Sequence, residues 1–337
     1  MSWVRCLSVL SDFPLFHSGP APEKPTVLVA GYGWATHEFV KHINPRRFNV
    51  RIVSERDQRL NQNKMIGLMA SSYTSALVPV IKDRCVSIDK ERNVVKGAGG
   101  GEYPYDYLVV ATGSEVNDFG IPGVKEHCMP CKTGEDIEAI RAKQSEGAVI
   151  LGAGPTGVEL ACALKKRGVA NIRLIEAADT LLPGFSLQFR EAAFNHLVKK
   201  GIQLQFGELV QKIDRGQIVT KRGAIPYGPT DLLVWTCGVK PVEFARGLVA
   251  DDNLSAGPNI FVMGDACRKG PPTAQNAVQQ GRYLADYFNG RFAKKEPYAF
   301  RELGRCVDLG DGHLIEVKGF LFFLPYLEFE DLLWFAL

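Results

Sequence analysis

The stretch Thr26-Val27-Leu28-Val29-Ala30-Gly31-Tyr32-Gly33-Trp34-Ala35-Thr36 decides the fold class. A short apolar run breaks into a glycine-rich turn, and a helix-like pattern continues from Trp34 to Ile43. This is the order of a strand, a phosphate-binding turn and a helix. The first glycine permits the tight turn, the second lets backbone N–H groups approach a pyrophosphate, and a third lets helix pack closely on strand. Thr36 stands at the third position, where a small β-branched residue implies slightly looser packing. Glu55, 24 positions after Gly31, ends the next strand-like run (Asn49 to Ser54) and is placed to accept from a ribose hydroxyl.

One such turn is a weak signal, but the chain carries a second. Val149-Ile150-Leu151 leads into Gly152-Ala153-Gly154-Pro155-Thr156-Gly157, with all three glycines in place. The following helix is expected over Val158 to Arg167, stopped by Gly168, and Asn171 to Glu176 reads as a strand. Glu176 lies 24 positions after Gly152 and is the matching ribose carboxylate. Ala177 and Ala178 follow it, with no arginine to meet a 2′-phosphate, which favours NADH over NADPH. Two turns of this kind imply two dinucleotides on one polypeptide.

Further strands are expected at Tyr105 to Ala111, Gln203 to Phe206, Ile218 to Lys221, Asp231 to Thr236 and Asn259 to Met263, with a glycine-rich loop tip at Lys96 to Gly101. A helix is expected over Ala274 to Phe288. The fold class is therefore α/β, with two Rossmann-like units, the second inserted into the first. The expected segments are a disordered or targeting leader (1–25), a flavin domain in two parts (26–146 and 240–290), an NADH domain (147–239) and a C-terminal segment (291–337).

At 337 residues the chain can build several cores, and its 46% hydrophobic and 23% charged content is that of a globular protein rather than a disordered one. The net charge of +3, with no basic tract interleaved with aromatics, argues against nucleic acid as a partner. No apolar run reaches the roughly 18 residues of a spanning helix. The tail is nonetheless dense in leucine and aromatics from Phe320 to Leu337, and an interfacial or partner-binding helix is expected there, with packing on the protein's own body as the alternative. Among the eight cysteines only Cys128-Met129-Pro130-Cys131 is closely spaced. No second pair completes a zinc set, so no metal is expected. A redox role for the pair is weighed against two ordinary thiols near a domain junction, which is the preferred reading.

The residues Asn259-Ile260-Phe261-Val262-Met263-Gly264-Asp265-Ala266 read as a buried strand ending in Gly-Asp. Together with the N-terminal turn they resemble the two-dinucleotide-domain flavoprotein oxidoreductases. That resemblance implies that Asp265 holds the ribitol of FAD. Ala111-Thr112-Gly113 resembles the family's crossover between flavin and nicotinamide domains. Four segments are most similar to type II NADH dehydrogenases: Gly31 to Ala35, Gly154 to Ala161, Val234 to Val239 (which includes Gly238), and Pro272 to Gly281. The resemblance covers roughly residues 26 to 290. It implies an FAD enzyme that passes hydride from NADH to flavin N5 and electrons to a quinone, without proton pumping. It also implies that Gln275 and Gln279, four apart and so on one helix face, lie near the flavin ring and the quinone. Glu159 is implied at the nicotinamide, with a structural helix-face glutamate as the alternative.

The resemblance and the apolar tail suggest peripheral attachment to an energy-transducing membrane, such as the mitochondrial inner membrane; a homodimer is left open. Residues 56 to 75 depart from the family's proline- and phenylalanine-rich pattern. Two rival readings are a sulfide:quinone oxidoreductase using Cys128, Cys131 or Cys267, and a nucleotide-binding interaction protein without turnover.

Overall fold

The computed structural model describes residues 24–61, 65–67, 69, 73–291 and 296–325. The expected leader, apart from its last two residues, and the tail beyond Pro325 lie outside the described residues.

Two five-stranded parallel sheets carry the architecture. The first contains β1 (Thr26–Ala30), β2 (Asn49–Ser54), β3 (Val80–Lys82), β4 (Tyr107–Val110) and β10 (Ile260–Val262), in the order β10-β4-β1-β2-β3. β1 is central, pairing Val27 with Val50 on one side and with Tyr107 on the other. Its run Val27 to Ala30 is buried throughout because both faces are covered, which is why it reads as continuous rather than alternating. Helices α1 (Trp34–His42) and α5 (Ala274–Asp286) cross closely, and a Cβ on Gly281 would strike the carbonyl oxygen of Ala35. At the opposite end of this unit from the glycine turn, Phe288 meets Phe39, Phe48, Tyr107 and Phe261 edge-on at centroid distances of 5.7, 5.5, 5.4 and 5.0 Å. Such pairs contribute about 0.5–1.5 kcal/mol each beyond burial, and they give the unit a rigid floor.

The second sheet contains β5 (Met129–Pro130), β6 (Gly147–Leu151), β7 (Asn171–Ile175), β8 (Gln203–Gln205) and β9 (Leu232–Trp235), in the order β5-β9-β6-β7-β8. β6 sends Ala148 and Ile150 to one face and Val149 and Leu151 to the other. The first face is covered by α3 (Pro155–Lys166) and α4 (Leu187–Lys199), through Leu160, Leu164, Phe189 and Leu197. The second is covered by a meander of Val210–Asp214, Gln217–Thr220 and Gly223–Pro226. Because β10 returns to the first sheet after this unit closes, the second unit is inserted into the first, as expected.

The two cysteines of the Cys128–Cys131 motif fall on opposite faces. Cys128 packs with the cluster of Val149 and Trp235, and Cys131 with that of Ile150 and Val234. The sheet edge stands between them, and burial pushes both thiols up to about 12. The geometry sides with two ordinary thiols.

The C-terminal reading needs correction. Phe320 to Leu324 is not helical: it forms β13 (Phe320–Leu324), paired antiparallel with β12 (His313–Val317), which pairs with β11 (Arg305–Asp308). Long-range pairing with β12 overrides what looked like a helix-length apolar run. This sheet docks on the second unit, burying Val307, Leu309 and Leu314 against the helices there, while Asp311 pairs with His196 and Lys200, each at 3.1 Å. The departing 56–75 region also proves structural in part. Gln58–Leu60 pairs with Tyr73–Ser75, and Met65, Ile66 and Met69 are buried in the core of the second unit.

Candidate functional site

Both glycine turns sit at the carboxyl ends of central parallel strands, where open α/β sheets bind ligands. They are built alike. Gly31 N–H donates to Val53 at 2.8 Å, and Gly152 N–H to Ile175 at 2.8 Å. Gly31 and Gly152 adopt φ of +99° and +105°, which glycine tolerates and other residues do not. A Cβ on Gly31 would come within 2.5 Å of the Ala111 carbonyl oxygen; on Gly152 it would come within 2.8 Å of Thr236 Oγ1.

The second glycines differ in kind. Gly33 (φ −129°) and Gly154 (φ −73°) have ordinary backbone angles, and a Cβ at either would meet nothing within 4 Å. Neither sterics nor conformation of the protein requires glycine there. The free space is what an approaching pyrophosphate needs, above the first N–H groups of α1 and α3. Pro155 occupies the first turn of α3, where its missing N–H costs nothing, and Thr156 follows it. Thr112, beneath the first turn, has a buried hydroxyl with no hydrogen-bond partner among the described residues, and Gly113 follows at φ +73°. An orphaned polar atom in this position suits a bound polar ligand. These features fit a dinucleotide at each turn.

The two carboxylates expected at the riboses are placed differently. Glu176 turns into its cradle and accepts from Ala153 N–H at 2.7 Å and from Ala178 N–H at 2.9 Å. Glu55 is exposed and faces Arg84 at 3.4 Å. Trp34 of the first turn lies under the guanidinium of buried Arg59, 3.7 Å from carbon to ring centroid.

Asp265, after β10, accepts from Ser114 Oγ at 2.7 Å and pairs with Lys132 at 3.3 Å. Gly264 has φ +69°, and a Cβ there would press on Ala35; Ala266 is buried beside them. Gly238 turns at φ +80° after β9. Gln275 and Gln279 share a helix face, as their spacing requires. Gln279 exchanges two hydrogen bonds with the backbone of Arg301 (2.8 and 3.0 Å), and Gln275 accepts from Leu303 N–H at 3.1 Å. They fasten the chain that enters β11.

Glu159 on α3 accepts from Asp308 N–H of β11 at 3.3 Å, and desolvation pushes its carboxyl up to about 8.

Several residues escaped the sequence reading. Buried Gln280 accepts from Gly264 N–H at 2.6 Å and donates to Lys269, so it shapes the Gly-Asp turn. Asn276, one turn earlier, donates to Lys269 and Pro271. Their spacing of four was visible, but it matched that of Gln275 and Gln279 and pointed to a different face. Lys132 and Ser114 carried no local signal.

This arrangement is that of a two-cradle redox flavoprotein fold, and the chain belongs to the pyridine nucleotide-disulphide oxidoreductase family, whose profile matches residues 25–281. It is 27% identical over 315 residues to the external alternative NAD(P)H-ubiquinone oxidoreductase B2, mitochondrial, of Arabidopsis thaliana, covering 72% of this chain and 54% of that protein. It is 26% identical over 391 residues to a probable NADH dehydrogenase of Dictyostelium discoideum, covering 91% of this chain and 85% of that protein. The chain thus spans about half the length of the Arabidopsis relative. Among solved structures, NDH2 from Plasmodium falciparum in complex with NADH superimposes with a TM-score of 0.76 at 16% identity, covering 93% of each chain, a likeness of fold.

Proposed function

We propose that this chain is an FAD-dependent NADH:quinone oxidoreductase of the type II kind, without proton pumping. The observation that carries the reading is the pair of open second glycines, Gly33 and Gly154, each unforced by the fold and each heading a helix at a strand's carboxyl end. The names of the Arabidopsis and Dictyostelium relatives supply the substrate class. In this reading FAD binds at the first turn and NADH at the second, and flavin supplies the step between a two-electron hydride donor and a quinone. The protein's residues bind and orient. Gly31, Gly33 and α1 hold the FAD pyrophosphate, Asp265 the ribitol, and Glu55 the adenosine ribose. Gly152, Gly154 and α3 hold that of NADH, with Glu176 at its ribose. Glu159 lies on the same helix and, with burial favouring its neutral form, is assigned to the nicotinamide.

Residues 26–146 and 240–290 form the flavin domain and 147–239 the NADH domain. Attachment is peripheral. No helix among the described residues is long and apolar enough to cross a membrane, while Phe320 and Phe322 on β13 are exposed. They continue into the apolar tail and form the contacting edge.

The test is an anaerobic absorbance titration of the purified yellow protein with NADH, followed by a short-chain quinone. The reading requires bleaching by NADH and recovery with quinone. A yellow protein that NADH leaves unbleached, or a colourless one that will not take up FAD, contradicts it.

A further inference from the structure

The two cysteines of the Cys-Met-Pro-Cys motif pack on opposite sides of the sheet edge, and the residue after them stands in a revealing place. β5 is the edge strand of the second sheet, fixed by parallel pairing of Met129 with Val234 and Pro130 with Trp235. The chain then enters α2 (Gly134–Ala142) through a capping box. Asp136 Oδ2 accepts the backbone N–H groups of Lys132 (2.9 Å) and Thr133 (2.7 Å), and Thr133 Oγ1 accepts from Asp136 N–H at 3.2 Å. The stem of Lys132 therefore leaves from a point locked to the second unit.

Its ammonium crosses to the first unit and lies 3.3 Å from Asp265 Oδ2, the oxygen that also accepts from Ser114 Oγ at 2.7 Å. Both charged side chains are mostly buried, at 19% and 17% exposure. A pin between two units would be made more cheaply from apolar groups, because withdrawing two charges from water costs several kcal/mol per ion before pairing offsets it. The ion pair is instead kept at the aspartate read as the ribitol anchor, beside Ser114, which directly follows the Ala111-Thr112-Gly113 crossover. When a flavin accepts hydride, two electrons and one proton arrive together and the ring system gains one unit of negative charge. A fixed cation nearby lowers the free energy of that reduced form.

We propose that Lys132 is a positioning and charge-setting residue for bound FAD: it orients Asp265 toward the ribitol and favours reduced over oxidised flavin. The inference rests on the assignment of FAD to the first turn. It is tested on the FAD-loaded protein with Lys132→Gln and Lys132→Arg, by equilibrium titration of the flavin against a reference dye and by FAD dissociation constants and melting temperatures.

Lys132→Gln is expected to lower the preference for reduced over oxidised FAD about tenfold, which for a two-electron couple is about 30 mV more negative. Lys132→Arg, which keeps the charge, is expected to stay within about threefold of the parent. Loss of FAD from Lys132→Gln alone, at the parent's apoprotein melting temperature, also supports the positioning role. Unchanged potential and FAD affinity in Lys132→Gln would overturn the inference and leave Lys132 a structural pin, as would a melting temperature lowered equally in both variants with flavin properties intact. Failure of the parent chain to bind FAD is a separate result, and it refutes the assignment of function instead.

Discussion

The two glycine turns share one hydrogen-bond pattern with their threonines exchanged. In the second turn, Gly157 sits where a Cβ would strike the Gly152 carbonyl oxygen, and that oxygen accepts from Thr236 Oγ1, across on the strand side, at 2.9 Å. In the first turn Ala111 occupies the place of Thr236: each donates its backbone N–H, at 2.8 Å, to the last residue of the central strand (Ala30 or Leu151). Thr36 occupies the place of Gly157, and its fully buried hydroxyl donates to the Gly31 carbonyl at 2.9 Å. So the carbonyl of the first glycine is satisfied in both turns, once from the helix and once from the strand. Thr36 is not a defect in the phosphate-binding motif. It fills the looser seat that a glycine would have closed, and the matching alanine removes the second hydroxyl.

The comparison can be broken most severely at Gly157. Gly157→Thr is expected to destabilise the second unit by about 3 kcal/mol or more, because the clash is with backbone that cannot move aside; chemical denaturation checks this. At the first turn the native Thr36 causes no such clash. Glu176→Ala removes a carboxylate that holds two turn N–H groups and is expected to raise the Michaelis constant for NADH about tenfold. An unchanged value would detach Glu176 from the ribose. Glu55→Ala, at an exposed pair, is expected to change FAD affinity by less than about threefold.

The sharpest test of the exchanged threonines lies at Thr36. Thr36→Gly should cost about 1–2 kcal/mol by leaving the Gly31 carbonyl without its hydroxyl. Adding Ala111→Thr should restore roughly half or more of that loss by supplying the hydroxyl from the strand, as in the second turn. A double-mutant cycle reads the coupling, and strict additivity would show the two threonines to be unrelated.

Much of this was legible in the chain. Val27 to Ala30 and Val149 to Leu151 read as buried strands because both sheet faces are covered, and the turns after them are local motifs whose glycines answer local demands. The helix Leu187–Lys199 was not read. Leu187, Phe194 and Val198 are exposed and blur the period set by Phe189, Ala193 and Leu197. Phe320 to Leu324 was mistaken for helix because its partner strand, not its own composition, decides its form. The contact of Lys132 with Asp265 spans 133 positions and links two different sheets, so no window on the sequence contains it. Gln275 and Gln279 were found as a pair, yet their described partners are the backbone of residues 301 and 303, which spacing along one helix cannot reveal.

The central claim is that the two cradles hold different dinucleotides, and Gly33 and Gly154 test it most directly. The Cβ of a valine at either position meets no protein atom within 4 Å and needs no unusual φ, so each substitution is directed at the open space of its cradle. The measurement is the flavin absorbance of each variant before and after anaerobic NADH. Gly33→Val is predicted to emerge folded but colourless, and Gly154→Val to stay yellow yet require far more NADH to bleach. A yellow Gly33→Val that bleaches normally, or a Gly154→Val that loses its flavin, would contradict the assignment of one dinucleotide to each turn.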